Sequence, residues 1–124
     1  MSGGEWERFP CTGAVVVPVH GEIDIATATA MRDRILHAAG RSGCACVLVD
    51  LSGVTFLDAS GVRELMVVYR SLTREGRHMV LAEPSSTAQR ILDALRLQEV
   101  LEIYPMVDMA LAHPRQGCPD SGRV

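Results

Sequence analysis

The sequence predicts an α/β domain: a small mixed β-sheet of roughly four to five strands with about four α-helices, opening with an antiparallel hairpin. Three observations carry this expectation. Short β-branched runs alternate with segments whose apolar residues recur at helical spacing, from residue 14 to residue 112. Gly, Pro, Asp or Ser punctuates nearly every junction. The first two strand candidates are separated by a tight turn and not by a helix, which is what makes the expected sheet mixed.

In chain order, residues 6–9 read as a short first strand and Cys11-Thr12-Gly13 as the turn into 14–20, AVVVPVH, a nearly continuous β-branched run. Pro18 has no amide hydrogen to give to a ladder, so an edge or a bulge is expected there. Asp24 or Thr27 offers an N-cap to a helix carrying Ala28, Met31, Ile35 and Ala38 on one face, with Gly40 as its stop. Residues 47–51, VLVDL, are too few for a helix and read as a buried strand, extended by 54–57 towards Asp58-Ala59-Ser60-Gly61. Beyond Gly61, Val62, Leu65, Met66, Tyr69 and Leu72 recur at steps of three and four. Arg63, Glu64, Arg70 and Arg74 fall mostly on the remaining face, and the helix ends near Glu75 with Gly76 as a left-handed cap. A strand at 78–82 follows, then Pro84 and Ser85 or Ser86 lead into a helix with Ala88, Ile91, Leu92 and Leu95. Residues 100–104 read as a last strand and 106–112 as a closing helix. The expected organisation is a single domain over 1–112 and a flexible C-terminal tail over 113–124, where turn and breaker residues dominate.

Composition narrows function. The chain has 124 residues, 48% hydrophobic and 22% charged, which suits one domain with a buried core. Net charge is −3, so the electrostatic attraction that drives non-specific nucleic-acid binding is missing and no nucleic-acid partner is expected. All 12 basic side chains are arginine, which removes lysine-based phosphate or Schiff-base chemistry. No apolar run approaches the roughly 18 residues of a membrane span, and the first residues lack the basic and apolar regions of a secretion signal, so a cytoplasmic protein is expected. Cys11, Cys44, Cys46 and Cys118 lack the spacing of a zinc site and read as buried or idle thiols, with Cys44 and Cys46 sharing a face if both lie on a strand.

No catalytic motif is present: no phosphate loop, no G-x-G-x-x-G, no H-E-x-x-H and no G-x-S-x-G. His20, His37, His78 and His113 are dispersed. Asp24, Asp50 and Asp58 could converge at the C-terminal ends of strands, where α/β sheets place ligands, although capping and turn formation account for them more simply. No enzymatic activity, cofactor or metal is expected. Nucleotide binding near Asp24 and Asp58 is a third reading, against which the absence of lysine and of a phosphate loop counts.

The densest signal is Asp50-Leu-Ser-Gly-Val-Thr-Phe-Leu-Asp-Ala-Ser-Gly61, a strand, a turn and a helix start in one short stretch. It resembles the signature of STAS domains, and specifically of anti-sigma factor antagonists of bacterial partner-switching systems. The resemblance extends to Gly21-Glu-Ile-Asp24 with Thr27-Ala28, to Gly76-Arg-His-Met-Val-Leu-Ala-Glu-Pro84, and to 91–104 with Asp108-Met-Ala-Leu111, so it covers about residues 12–112. It implies that Ser60 is phosphorylated by the anti-sigma factor, itself an ATP-binding serine kinase, and that a serine phosphatase acting on phospho-Ser60 restores binding. It further implies a partner-binding set of Asp24, Asp58, Ala59, Ser60, Gly61, Val62 and Arg63, no catalytic residue and no membrane partner, in a chain expected to be a monomer when free. The competing expectation keeps the fold but makes the chain a non-switching STAS subunit of a multiprotein or transporter-associated complex.

Independently of the resemblance, a serine ahead of an amphipathic helix is accessible to a docking protein, and its hydroxyl can cap first-turn amides. Phosphorylation would put about −1.5 to −2 charges there. Gly61 has two readings, a small residue for close packing or one for an unusual backbone angle. Three positions depart from the family pattern: Ala59 stands where a second hydroxyl is common, Arg63 where small residues are frequent, and Arg96 where glycine is frequent.

Overall fold

The computed structural model describes residues 14–112. The elements are β1 (Ala14–Ile23), α1 (Ala28–Gly40), β2 (Cys46–Leu57), α2 (Ala59–Arg74), β3 (His78–Ala82), α3 (Ser86–Ala94), β4 (Ile103–Tyr104) and α4 (Val107–Ala112), with a short 3₁₀ turn at Leu97–Glu99. The sheet order is β1-β2-β3-β4 and every pair is parallel. This corrects the expected mixed sheet for the described residues. The chain between successive strands crosses back through α1, α2 and α3, so each strand starts again at the same end. The strand at 6–9, on which the antiparallel hairpin depended, and the tail at 113–124 lie outside the described residues.

Sequential strand order with crossovers of one hand places α1, α2 and α3 on the same face of the sheet. The main core lies between them. Val17, Val19 and Ile23 of β1, Val47, Val49, Leu51, Val54 and Leu57 of β2, and Met79 and Leu81 of β3 meet Met31 and Ile35, Leu65, Val68 and Leu72, and Leu92 of the helices. Each such side chain contributes roughly 1.5–3 kcal/mol by leaving water. The opposite face carries a smaller cluster, Leu48, Val80 and Ala82 under Ala110 of α4.

Pro18 behaves as its chemistry requires. Among the described residues β1 is an edge strand, and its register with β2 shifts between Pro18 and His20 and again between Gly21 and Glu22. The Arg34 guanidinium donates to the Pro18 carbonyl at 3.0 Å. Gly53 allows the bulged pair to close, since a Cβ there would lie 3.1 Å from the Val19 carbonyl oxygen and against the His20 ring.

The element ends show where local chemistry decides and where it does not. Gly76 has φ +76° and follows α2 as expected, and the Ser85 hydroxyl accepts from the Ala88 amide at 3.1 Å to cap α3. Gly40, expected as the stop of the first helix, is the last helical residue of α1, and Arg41 caps it with ordinary right-handed torsions. The last strand is shorter than expected because residues 100–102 only lead out of the 3₁₀ turn, and pairing with β3 is confined to Ile103 and Tyr104. Cys44 lies in the loop ahead of β2 and Cys46 at its start, and both are disulfide-bonded, which corrects their reading as thiols on one strand face. Arg77, just ahead of β3, donates to the carbonyls of Ala39 (2.8 Å) in α1 and of Ser42 (3.3 Å) and Cys44 (2.6 Å) in that loop, tying the end of α1 to the start of β3. Burial lowers the Arg77 pKa from its ordinary value.

Arg96 occupies the left-handed region, with φ 55° and ψ 40°. A non-glycine side chain is disfavoured there by roughly 1–2 kcal/mol. Its ion pair with Glu99 at 3.7 Å is exposed and offsets little of this. Arg96→Gly is therefore expected to stabilise the domain by about 0.5–1 kcal/mol, read as a Tm rise of about 3–5 °C in thermal unfolding. An unchanged or lower Tm would show that the chain tolerates this torsion without strain.

Candidate functional site

The site forms where β1 and β2 end. Ile23 pairs with Leu57, and the Asp58 amide donates to the Ile23 carbonyl at 3.2 Å, so the loop after β1 and the first turn of α2 are held side by side. Asp24 and Asp58 thus come together at the C-terminal edge of the parallel sheet, where such sheets place binding residues.

Asp58 is the N-cap of α2, with extended backbone torsions. Its Oδ1 accepts from the Ser60 amide at 2.9 Å and the Gly61 amide at 3.3 Å, while its carbonyl accepts from Val62 at 3.1 Å. A cap of this kind is worth about 1 kcal/mol. Asp58 thus supplies the capping expected of it, and the cap that the Ser60 hydroxyl could have offered is not formed. Helix α2 begins at Ala59, ahead of Gly61, so Ser60 is already inside the first turn and the amides it could have capped are taken. The Ser60 side chain is half-buried, and its hydroxyl makes no hydrogen bond among the described residues.

Gly61 is decided in favour of close packing. Its φ is not positive, and a Cβ would lie 2.8 Å from Ile23 Cγ2 and closer still to Leu57 Cδ1. Val62 also faces inward, at 4% exposure. Of the expected partner-binding set, Ala59 and Arg63 are exposed, Asp24, Asp58 and Ser60 are partly exposed, and Gly61 and Val62 are buried beneath them.

The loop after β1 is braced by its own side chains. Asp24 Oδ1 accepts from the amides of Ala26 (2.9 Å) and Thr27 (3.2 Å). The Thr27 hydroxyl accepts from the Asp24 amide at 2.9 Å and donates to the Glu22 carbonyl at 2.8 Å. Thr27 itself is the residue ahead of α1, but its side chain caps no amide of that helix. Bracing leaves Ile25 projecting outward at 81% exposure, and Phe56, beside the end of β1, at 42%. Sequence reasoning missed both. The available signal was an isoleucine between two residues with turn chemistry and an aromatic at an outward strand position.

Other chemistry is not assembled nearby. Among the described residues no three His, Cys, Asp or Glu side chains are grouped so as to hold a metal ion. A groove of about 700 Å³ between β1 and α1 is lined by Val16–Pro18, Arg34, His37 and Arg41 among others, and includes none of Asp24, Asp58 or Ser60. No helix among the described residues is long and apolar enough to cross a membrane.

The sequence matches the family described as STAS domain over residues 11–110, nearly all of the chain that carries this architecture. The chain belongs to the STAS domain family. This STAS domain is 29% identical over 105 residues to the anti-sigma-F factor antagonist RsfB of Mycobacterium tuberculosis, covering 85% of this chain and 84% of that protein. It superposes on the crystal structure of an anti-sigma factor antagonist from Mycobacterium paratuberculosis with a TM-score of 0.75 at 30% identity, covering 86% of this chain and 90% of the other. It is also 25% identical to a probable sulfate transporter 3.4 of Arabidopsis thaliana, where the match covers 78% of this chain and only 16% of the transporter.

Proposed function

We propose that this STAS domain is an anti-sigma factor antagonist, a non-enzymatic binding domain with Ser60 as its switch. Unphosphorylated, it binds an ATP-dependent anti-sigma factor kinase and frees the sigma factor. Phosphorylation of Ser60 breaks the complex, and a serine phosphatase reverses it. The observation that carries this reading is the state of Ser60: a serine in the first turn of α2, partly exposed, with a hydroxyl unused by the fold because Asp58 performs the capping.

That arrangement separates switching from folding. A phosphate on Ser60 does not displace a structural hydrogen bond, and the Ser60 and Gly61 amides are already committed to Asp58. The added charge therefore stands at the surface beside an existing carboxylate, where a docked protein would have to accommodate it.

The test is transfer in vitro. An ATP-binding anti-sigma factor retained by a Ser60→Ala bait from an extract of the source organism, when given ATP and the wild-type chain, adds one phosphate at Ser60 and none to Ser60→Ala. A phosphate elsewhere, or no such factor on the bait, overturns the reading. The match to a sulfate transporter favours one second reading, a STAS subunit that never switches. Baits carrying Ser60→Ala and Ser60→Asp would then retain the same proteins.

A further inference from the structure

The outward face of α2 has a charge pattern that the switch alone does not explain. Ser60, Arg63, Val67, Arg70 and Arg74 follow one another at steps of three and four along the helix, while Gly61, Val62, Leu65, Val68 and Leu72 form its buried side. At 1.5 Å per residue the line from Ser60 to Arg74 is about 21 Å long. Arg63, Arg70 and Arg74 are all exposed, and among the described residues none has an ion pair or a side-chain hydrogen bond.

The acids around this face are otherwise engaged, Asp58 with the first amides of the helix. Glu64 is held sideways by Arg32 of α1 at 3.1 Å, and Glu75, just past the helix, lies 3.9 Å from Arg77. The chain as a whole carries net charge −3, yet this stripe presents three cations with no acid among them. Among the described residues the fold supplies these three guanidinium groups with no counter-charge, and guanidinium groups suit carboxylates as bidentate partners.

We propose that the Arg63–Arg70–Arg74 stripe is the docking surface for an acidic segment of the anti-sigma factor, so that the interface begun at Ser60 continues along the length of α2. The inference rests on the function proposed above and adds to it the chemistry of the partner. It also adds a reason for the switch to be effective. A dianion at the head of the stripe cancels much of its positive field and faces the same acidic segment with like charge.

Stopped-flow association with the anti-sigma factor at low and high salt provides the test, using wild type, Arg70→Glu/Arg74→Glu, Arg70→Gln/Arg74→Gln and Ser60→Asp. Both altered arginines are exposed, and circular dichroism confirms folding of each variant. The expected result is an association rate about tenfold lower for the Gln pair and lower again for the Glu pair at low salt, with the differences vanishing at high salt. Equal rates for wild type and the Glu pair overturn the docking surface. If Ser60→Asp abolishes binding in that case, the proposed function stands without it. If the Glu pair slows binding and Ser60→Asp does not, the surface stands and the switch falls.

A second arm is independent of the partner. Titration of the labelled chain with poly-glutamate and with poly-uridylate, followed by arginine side-chain NMR, is expected to shift Arg63, Arg70 and Arg74 with the polypeptide. Selective shifts with the polynucleotide, or none at these three residues, overturn an acidic protein segment as the occupant.

Discussion

Ser60→Asp is expected to weaken binding to the anti-sigma factor by at least about 100-fold while leaving the unfolding free energy within about 1 kcal/mol of wild type. The two halves of this expectation have separate physical sources. A carboxylate in the first turn of a helix gains about 0.3–1 kcal/mol from the helix dipole. Against this stands repulsion from Asp58, whose Oδ1 already accepts from the amide of residue 60 at 2.9 Å. The two contributions are of similar size and opposite sign, and no hydroxyl hydrogen bond is lost, since the Ser60 hydroxyl makes none among the described residues. At the interface nothing offsets the charge. A 100-fold loss corresponds to about 2.7 kcal/mol, within the several kcal/mol that a like charge placed against a docked surface costs. Isothermal titration calorimetry with the anti-sigma factor and thermal unfolding of the free variant measure the two halves. A variant that unfolds more than 10 °C below wild type would show that residue 60 has a structural role, contrary to the geometry.

Which parts of the molecule were legible in the sequence follows from how local their causes are. The strand His78–Ala82, the left-handed Gly76 and the serine ahead of α3 depend on residues a few positions apart; the structure places the first two as expected and takes Ser85 of the two serines offered. The direction of the sheet depended on the chain before residue 14, and in the described residues the crossovers alone set it. At Asp58-Ala59-Ser60-Gly61 the local residues offer two good caps, and nothing within the tetrapeptide chooses between them. The choice is made by where β2 stops, which is fixed by the pairing of Leu57 with Ile23 and by the hydrogen bond from the Asp58 amide to the Ile23 carbonyl. These partners are more than thirty residues away in sequence. Arg96 is the converse case: its residue type argues against the left-handed torsion it adopts, and packing around Leu97 and Leu101, 4% and 5% exposed, holds the turn in place.

Gly61→Ala is expected to destabilise the domain by about 1–3 kcal/mol, against the usual rule that alanine favours a helix over glycine by nearly 1 kcal/mol. The reversal comes from the two strand ends beneath the first turn of α2. An added methyl would meet Ile23 Cγ2 at 2.8 Å and Leu57 Cδ1 closer still. Leu57 ends in a flexible branch, but both residues are only 3% exposed and cannot swing into solvent. The branched Cβ of Ile23 makes its methyl stiffer still. Relief therefore requires the first turn of α2 to lift from the sheet edge, which moves Ser60 relative to Asp24 and strains the hydrogen bond joining Asp58 to Ile23. A Tm fall of about 10 °C is the expected reading in thermal unfolding. Gly40→Ala is the matched control, since Gly40 is helical, has no positive φ and has no atom within 4 Å of the site of its Cβ. That variant is expected to unfold at or slightly above the wild-type temperature. Equal behaviour of the two variants would mean that Ile23 and Leu57 can repack at little cost, and that the close approach of α2 to the strand ends is not what sets the position of Ser60.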